Sequence, residues 1–277
     1  MTVGPPPALR ATPRQRGIHF AVSLRLCVKP RQRGIPRSSP VFRLPSSLSP
    51  LPIAYLRASM TFHEFTVKGQ SLCLCSERSI FWETEKSLIV SDLHFGKTGH
   101  FRKAGIAVPQ SVFKEDIQRL VAQIQYFKPN TLIVVGDMFH SSANKELDLF
   151  SRWRDDFPGL NIHLVKGNHD VLNKNWYRRA GIEVYEPTLT VSGFCFQHDP
   201  GACGTDDEAD HYVFSGHIHP GITLNGAGRQ TLRFPCFYFT ESYCVLPAFS
   251  RFTGTVSVDF KDDDVVFAIV NNSLVRV

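Results

Sequence analysis

Apolar runs of β-strand character recur along the middle of this chain, and four of them are closed at once by a short polar motif. Leu88-Ile89-Val90 leads to Asp92-Leu93-His94, and Leu132-Ile133-Val134-Val135 leads to Gly136-Asp137. Ile162-His163-Leu164-Val165 leads to Gly167-Asn168-His169-Asp170, and Tyr212-Val213-Phe214 to Gly216-His217-Ile218-His219. A fifth motif, His198, follows the mixed run Phe194-Cys195-Phe196-Gln197. Ligand-type side chains at the ends of successive strands converge on one edge of a sheet, where open α/β folds place their sites. Carboxylate, amide and imidazole groups in this number, with no thiolate among them, suit two divalent cations.

The segments between the motifs alternate in period. Pro109 to Tyr126 carries Val112, Phe113, Ile117, Leu120, Val121 and Ile124, a helical stripe with proline near its first turn. Asn144 to Phe157 repeats the pattern with Leu147, Phe150, Trp153 and Phe157. Strand, helix, strand, helix, strand through the first three motifs predicts parallel crossover units. Strands are expected before them at Phe62–Val67, Ser71–Cys75 and Ser79–Trp82, and after them at Phe237–Phe239, Tyr243–Leu246, Thr255–Phe260 and Val265–Val270. The expected fold is a four-layer α/β/β/α sandwich, one domain from about Met60 to Val277, with no internal repeat.

Residues 1–59 differ in kind. They hold ten Lys/Arg, no Asp or Glu and ten of the eighteen prolines, with neither helical nor alternating periodicity, and are expected to be disordered. That leaves 21 basic against 25 acidic residues in 60–277, so the formal charge of +6 belongs to the leader and the rest is mildly acidic. An organelle transit peptide, a basic nucleic-acid-touching tail and translated upstream sequence ahead of a true start at Met60 are the open readings. The composition change at Met60 favours the last.

No run of eighteen apolar residues occurs, so no membrane-spanning helix is expected. Ile18 to Val28 is short and broken by Arg25, which argues against a secretory signal. Seven cysteines, an odd number in strand-like contexts, fit reduced thiols better than a disulfide framework. Cys73 and Cys75 alternate along one strand and face one side, leaving a Cys-x-Cys metal site as a minor alternative.

Each motif has a chemical reason. Asp92 and His94, two apart on an extended segment, would present a carboxylate oxygen and an imidazole nitrogen on one face. The Asp137 carboxylate has two oxygens and can bridge two metals about 3.5–4 Å apart. Asn168 adds a neutral amide oxygen, and His198, His217 and His219 complete the shells. Alone, each element is explained as well by a capped turn or a satisfied histidine. Five in order, each closing a strand, are not.

Over residues 87–220 the chain resembles the calcineurin-like metallophosphoesterase superfamily, motif by motif. The resemblance implies that Asp92, His94, Asp137 and His219 hold one metal, and Asp137, Asn168, His198 and His217 the other. It implies a bridging water made nucleophilic by the metals, and His169 as general acid toward the leaving oxygen. Mn²⁺ is the expected pair, with Fe²⁺, Zn²⁺ or Mg²⁺ as alternatives.

Phosphatases of the superfamily carry Gly-Asp-x-x-Asp-Arg-Gly, whereas this chain reads Gly136-Asp137-Met138-Phe139-His140-Ser141. It is similar here to the superfamily's double-strand-break repair nucleases, where a histidine in the place of His140 assists the catalytic one. Further segments narrow the likeness: Asp92 to Lys97, Phe101 to Ile106, Gly216 to Pro220, Leu232 to Phe237, Leu246 to Phe249 and Phe252 to Gly254. Together they resemble the bacterial ligase-associated DNA damage response endonuclease (PdeM) family, from about Met60 to the C-terminus. That implies a cytoplasmic phosphodiesterase or endonuclease acting on DNA, near a DNA ligase or helicase.

Lys97, Arg102 and Lys103 follow the first motif, where point charges can hold a phosphate backbone; a solvated loop explains them equally. Arg229 and Arg233 flank the last motif and stand the same way. A small-molecule phosphomonoesterase or nucleotide phosphodiesterase is the competing enzyme reading. A non-catalytic scaffold is disfavoured, because every ligand position is filled.

Overall fold

The computed structural model describes residues 60–97, 111–140, 145–202, 211–225 and 231–277. Arg102, Lys103, Pro109 and Arg229, and the leader 1–59, lie outside them. Among the described residues the first sheet runs, in spatial order, β1 (Phe62–Val67), β2 (Gln70–Cys75), β3 (Ser79–Trp82), β4 (Ser87–Val90), β5 (Thr131–Val135), β6 (Asn161–Val165) and β7 (Ile182–Tyr185). β1 to β4 form an antiparallel meander, and β4 to β7 are parallel. Parallel neighbours need crossovers, here α1 (Ser111–Phe127), α2 (Lys145–Asp155) and α3 (Lys174–Arg179).

The second sheet contains β8 (Thr188–Val191), β9 (Phe194–Gln197), β10 (Tyr212–Ser215), β11 (Pro220–Asn225), β12 (Thr231–Phe239), β13 (Tyr243–Val245), β14 (Val256–Ser257), β15 (Val265–Val270) and β16 (Ser273–Arg276). Its order is β14-β11-β12-β13-β10-β9-β8, with β15 paired to β12 and β16 to β15. β9, β10 and β13 are parallel, so the segments after β9 and β10 emerge at the same edge.

The continuous apolar runs of β4 and β5 follow from burial on both faces. Ile89, Ile133 and Val135 point between the sheets and meet Trp82, Phe194, Phe196, Phe214, Phe237 and Phe267. Leu88, Val90, Leu132 and Val134 point the other way, onto Ile117, Leu120 and Ile124 of α1, Phe150 and Trp153 of α2, and Tyr177 of α3. Each fully buried aromatic or aliphatic side chain contributes about 1.5–3 kcal/mol. This is the expected α/β sandwich. The three described helices all pack on the first sheet, and the second carries a smaller outer cluster of Ile222, Cys236, Val266 and Ala268.

Several elements differ from expectation. β14 is two residues long because Val256, Ser257 and Phe260 are exposed and gain nothing from a longer ladder. β12 extends back to Thr231, since the chain after the last motif forms the hairpin β11–β12. α3, β7, β8, β11 and β16 are short segments whose periodicity is too brief to read. Cys75 is buried, its thiol pushed up to about 12 by burial, and among the described residues neither Cys73 nor Cys75 joins a metal-ligating cluster.

Candidate metal centre

The motifs leave the sheets at one edge, and the backbone there is not extended. Asp92 and His94 adopt φ of 53° and 50°, Asp137 50°, His217 66° and His219 54°. The expectation of an extended Asp92-x-His94 is therefore corrected: the two side chains come together through left-handed residues in a loop. Such backbone costs about 1–3 kcal/mol per non-glycine residue and persists only where the surroundings over-determine it. Here the loops after β4 and β5 are bonded to each other. Asp92 N–H donates to Gly136 O, His94 N–H to Asp137 O, Phe95 N–H to Met138 O and His140 N–H to Phe95 O, at 2.8–3.2 Å.

Two clusters result. In the first, Asp92, His94 and His219 converge. His94 Nε2 lies 3.4 Å from His219 Nε2, and Asp92 Oδ1 lies 3.1 Å from His219 Nε2. The other carboxylate oxygen, Oδ2, is held by Ser91 Oγ at 2.5 Å and His217 N–H at 3.2 Å. Asp92 Oδ1 and His94 Nδ1 are buried without a hydrogen bond of proper geometry. Burial, aided by the Lys97 charge, pushes the His94 imidazole down to about 3, against the pull of Asp92 and Asp137. It is neutral, the form that offers a lone pair.

In the second cluster Asp137, His198 and His217 converge, and Asn168 joins them. Asn168 Oδ1 is 3.0 Å from His198 Nε2 and 3.1 Å from His217 Nδ1; those two nitrogens are 3.2 Å apart. Asp137 Oδ1 is 3.4 Å from His198 Nε2. His198 Nδ1 faces the Val135 carbonyl at 3.2 Å, an acceptor that places a proton on Nδ1 and turns Nε2 to the cluster. Against the downward pull of burial, the hydrogen bond and charge of Asp137 push His198 up to about 9. Burial works upward on Asp137 itself, yet His198 and the His169 N–H outweigh it and bring the carboxyl down to about 2.

The motif glycines are spaces for these groups. A Cβ on Gly136 would stand 1.9 Å from His198 Nδ1, on Gly167 2.2 Å from Asp137 Oδ1, and on Gly216 1.9 Å from Ser91 Oγ.

These donors fit divalent cations. Lone-pair nitrogens facing each other at 3.2–3.4 Å repel unless a proton or a cation lies between them. Ligands about 2.1 Å from one cation stand about 3.0–3.4 Å apart, the spacings found in both clusters.

His169 and His140 lie beside the first cluster. Their ring centroids are 4.4 Å apart, and each is within 6 Å of the His94 ring. His169 N–H donates to Asp137 Oδ1 at 2.9 Å. Lys97 is half-buried; burial lowers its ammonium while Asp92 and Asp137 act to raise it. Arg233 donates to the Thr255 carbonyl at 3.2 Å and so braces β12.

Two residues escaped the sequence reading. Asp170 accepts from Phe139 N–H at 3.0 Å and Gly167 N–H at 2.9 Å, tying the loops after β5 and β6 together. Burial outweighs those donors and pushes it up to about 7. Its place in Gly-Asn-His-Asp was the available signal. Ser91, which shares its hydroxyl proton between Asp92 Oδ2 and the Val135 carbonyl, carried none beyond adjacency.

Comparison with known proteins agrees with this geometry. A nuclease, MPE, from Pseudomonas putida superposes with a TM-score of 0.66 at 27% identity, covering 78% of this chain and all of its own. The E. coli phosphoesterase Yfce aligns more distantly, at a TM-score of 0.38 and 13% identity, over 69% of this chain and 97% of its own. No curated protein matches significantly. Residues 86–237 match the calcineurin-like phosphoesterase model, and with two His/Asp clusters suited to metal at the strand ends, the chain belongs to that family of metal-dependent phosphoesterases.

Proposed function

We propose that this protein hydrolyses phosphodiester bonds in nucleic acid, with Asp92, His94, Asp137 and His219 holding one divalent metal and Asp137, Asn168, His198 and His217 the other. The observation that carries the reading is His140, whose ring lies 4.4 Å from that of His169, at the position where the superfamily's phosphatases carry Asp, with Ser141 where they carry Arg. When bound, the metals acidify a water to a nucleophile and offset charge on the phosphate. The chain's own groups do the rest. The N–H bond to Asp137 anchors His169, whose ring donates a proton to the leaving oxygen. His140 orients that ring. Lys97, with Arg102 and Lys103 beyond it, holds the phosphate chain.

A diester carries a single negative charge and needs fewer fixed cations than a monoester. A sugar alkoxide is a poor leaving group and needs the proton. The likeness to a nuclease over that protein's full length supports a nucleic-acid substrate. The proposal extends to the PdeM-type family, to DNA repair beside a ligase or helicase in the cytoplasm, to Mn²⁺, and to residues 60–277 as the domain. Among the described residues no helix is long and apolar enough to cross a membrane.

Purified protein with Mn²⁺ is expected to turn over bis(p-nitrophenyl) phosphate faster than p-nitrophenyl phosphate and to nick or trim single-stranded DNA. A monoester rate about tenfold above the diester rate, with no DNA cleavage in Mn²⁺, Fe²⁺, Zn²⁺ or Mg²⁺, would leave a small-molecule phosphatase in its place. His169→Ala should lower DNA turnover by about 10²–10⁴-fold, and less for p-nitrophenolate leaving groups. Equal losses on both would make His169 a phosphate holder.

A further inference from the structure

A buried ion network lies against the loop that holds Asp92, and the proposed chemistry makes no use of it. Phe249 N–H donates to Ser91 O at 2.7 Å and Ser250 N–H to Asp92 O at 3.2 Å, so the segment after β13 grips the backbone of the first motif. That segment is gripped in turn. Arg119 of α1 donates from Nη1 to the Phe249 carbonyl at 3.0 Å, and its guanidinium carbon sits 4.4 Å over the Phe249 ring. Arg119 also bonds Glu77 Oε2 at 2.6 Å, the Glu77 carbonyl at 2.8 Å and Asp116 Oδ1 at 2.8 Å. Arg119, Glu77 and Asp116 are each about 95% buried or more.

Buried ion pairs are a poor source of stability, since apolar residues of the same volume serve as well or better. What a guanidinium adds is direction: a rigid fork that fixes several acceptors at once. Here one arm of the fork ends on the residue whose N–H holds Ser91, next to an Asp92 kept at φ 53°. We infer that Arg119, locked by Glu77, is a positioning residue for the Asp92–His94–His219 cluster, setting how tightly that cluster binds a divalent metal. The Asp137–His198–His217 cluster, built on the loops after β5, β9 and β10, meets this network only at second hand, through the bonds of the Asp92 loop to Gly136, Asp137 and His217. This rests on the metal-binding reading above.

The test is Mn²⁺ binding to the full chain by equilibrium dialysis and elemental analysis. His217→Ala removes a side chain from the second cluster alone, and His94→Ala one from the first alone. Adding Arg119→Lys, which keeps charge but loses the fork, should raise the dissociation constant about 10–100-fold in the first background. It should leave the second background unchanged. Equal weakening in both, or none in the first, overturns the inference. If circular dichroism shows Arg119→Lys unfolded, Glu77→Gln carries the same comparison: it keeps an oxygen for Arg119 but removes the charge, and a smaller rise confined to the first background is expected. Should neither background bind Mn²⁺ before Arg119 is altered, the metal reading itself fails, and this inference with it.

Discussion

The two clusters use nearly the same ligands and differ in depth. In the first, Asp92 is fully buried and His94 is 4% exposed; in the second, His217 and Asn168 are exposed. Burial and Lys97 drive the His94 imidazole down to about 3, whereas Asp137 drives the His198 imidazole up to about 9 in spite of burial. The same imidazole group is thus pushed in opposite directions by its surroundings in the two clusters. Glycines make room for groups of both, Gly216 for Ser91 and Asp92 and Gly136 and Gly167 for His198 and Asp137, while the first cluster also leans on a loop held by buried ions.

The largest effect should come from the residue proposed to serve both. Asp137→Asn is expected to lose at least one metal and most diester turnover, and elemental analysis finding two tightly bound ions in that variant would sink the bridging role. Gly136→Ala should disturb the second cluster most. Its Cβ would stand 1.9 Å from His198 Nδ1 at a φ of +78°, so the ring must move. A stability loss of about 1–3 kcal/mol is expected. Metal titration should show binding at the second cluster weakened more than at the first; undisturbed binding at the second would mean the ring relocates freely.

A smaller effect separates the supports by pH. Burial would raise Glu77, but the Arg119 charge and hydrogen bond, with Arg251, outweigh it and hold the carboxyl below its ordinary value of 4.5. A carboxyl depressed in the folded state stabilises above its unfolded pKa, and that contribution fades as pH falls through the folded value. Thermal midpoints of metal-free protein should therefore drop below pH 4.5 more steeply in the native chain than in Glu77→Gln. Parallel curves would remove Glu77 from the acid limb. The smallest effect is expected from deleting residues 1–59, which should leave thermal stability and diester turnover intact. A clear loss of either would make the leader part of the working protein.

Much of this was legible in the residues because the constraints are local. Strands buried on both faces must be apolar throughout, so β4, β5 and β6 stand out without any partner in view. The helices between them declare themselves by period, as Ile117, Leu120 and Ile124 do. Ligand-type residues directly after such strands could then be assigned to one edge. Short elements such as β8 and α3 were not legible, because their existence depends on a neighbour to pair or pack with. The link between Glu77, Arg119 and Phe249 was also invisible, since residues 42 and 130 positions apart meet only across the fold.

The residues alone gave the order of strand and helix, the ligand-type side chains that close the strands and their arrival at a common edge. All of these follow from apolar period and from spacing along the chain. The backbone of the motifs and the opposite pulls on their histidines came only with the packed fold. Left-handed Asp92, His94 and Asp137 are unfavourable alone and exist because neighbouring loops bond them in place. The opposite pulls on His94 and His198 depend on burial and on which charge lies near, quantities that belong to the packed molecule and not to the residue.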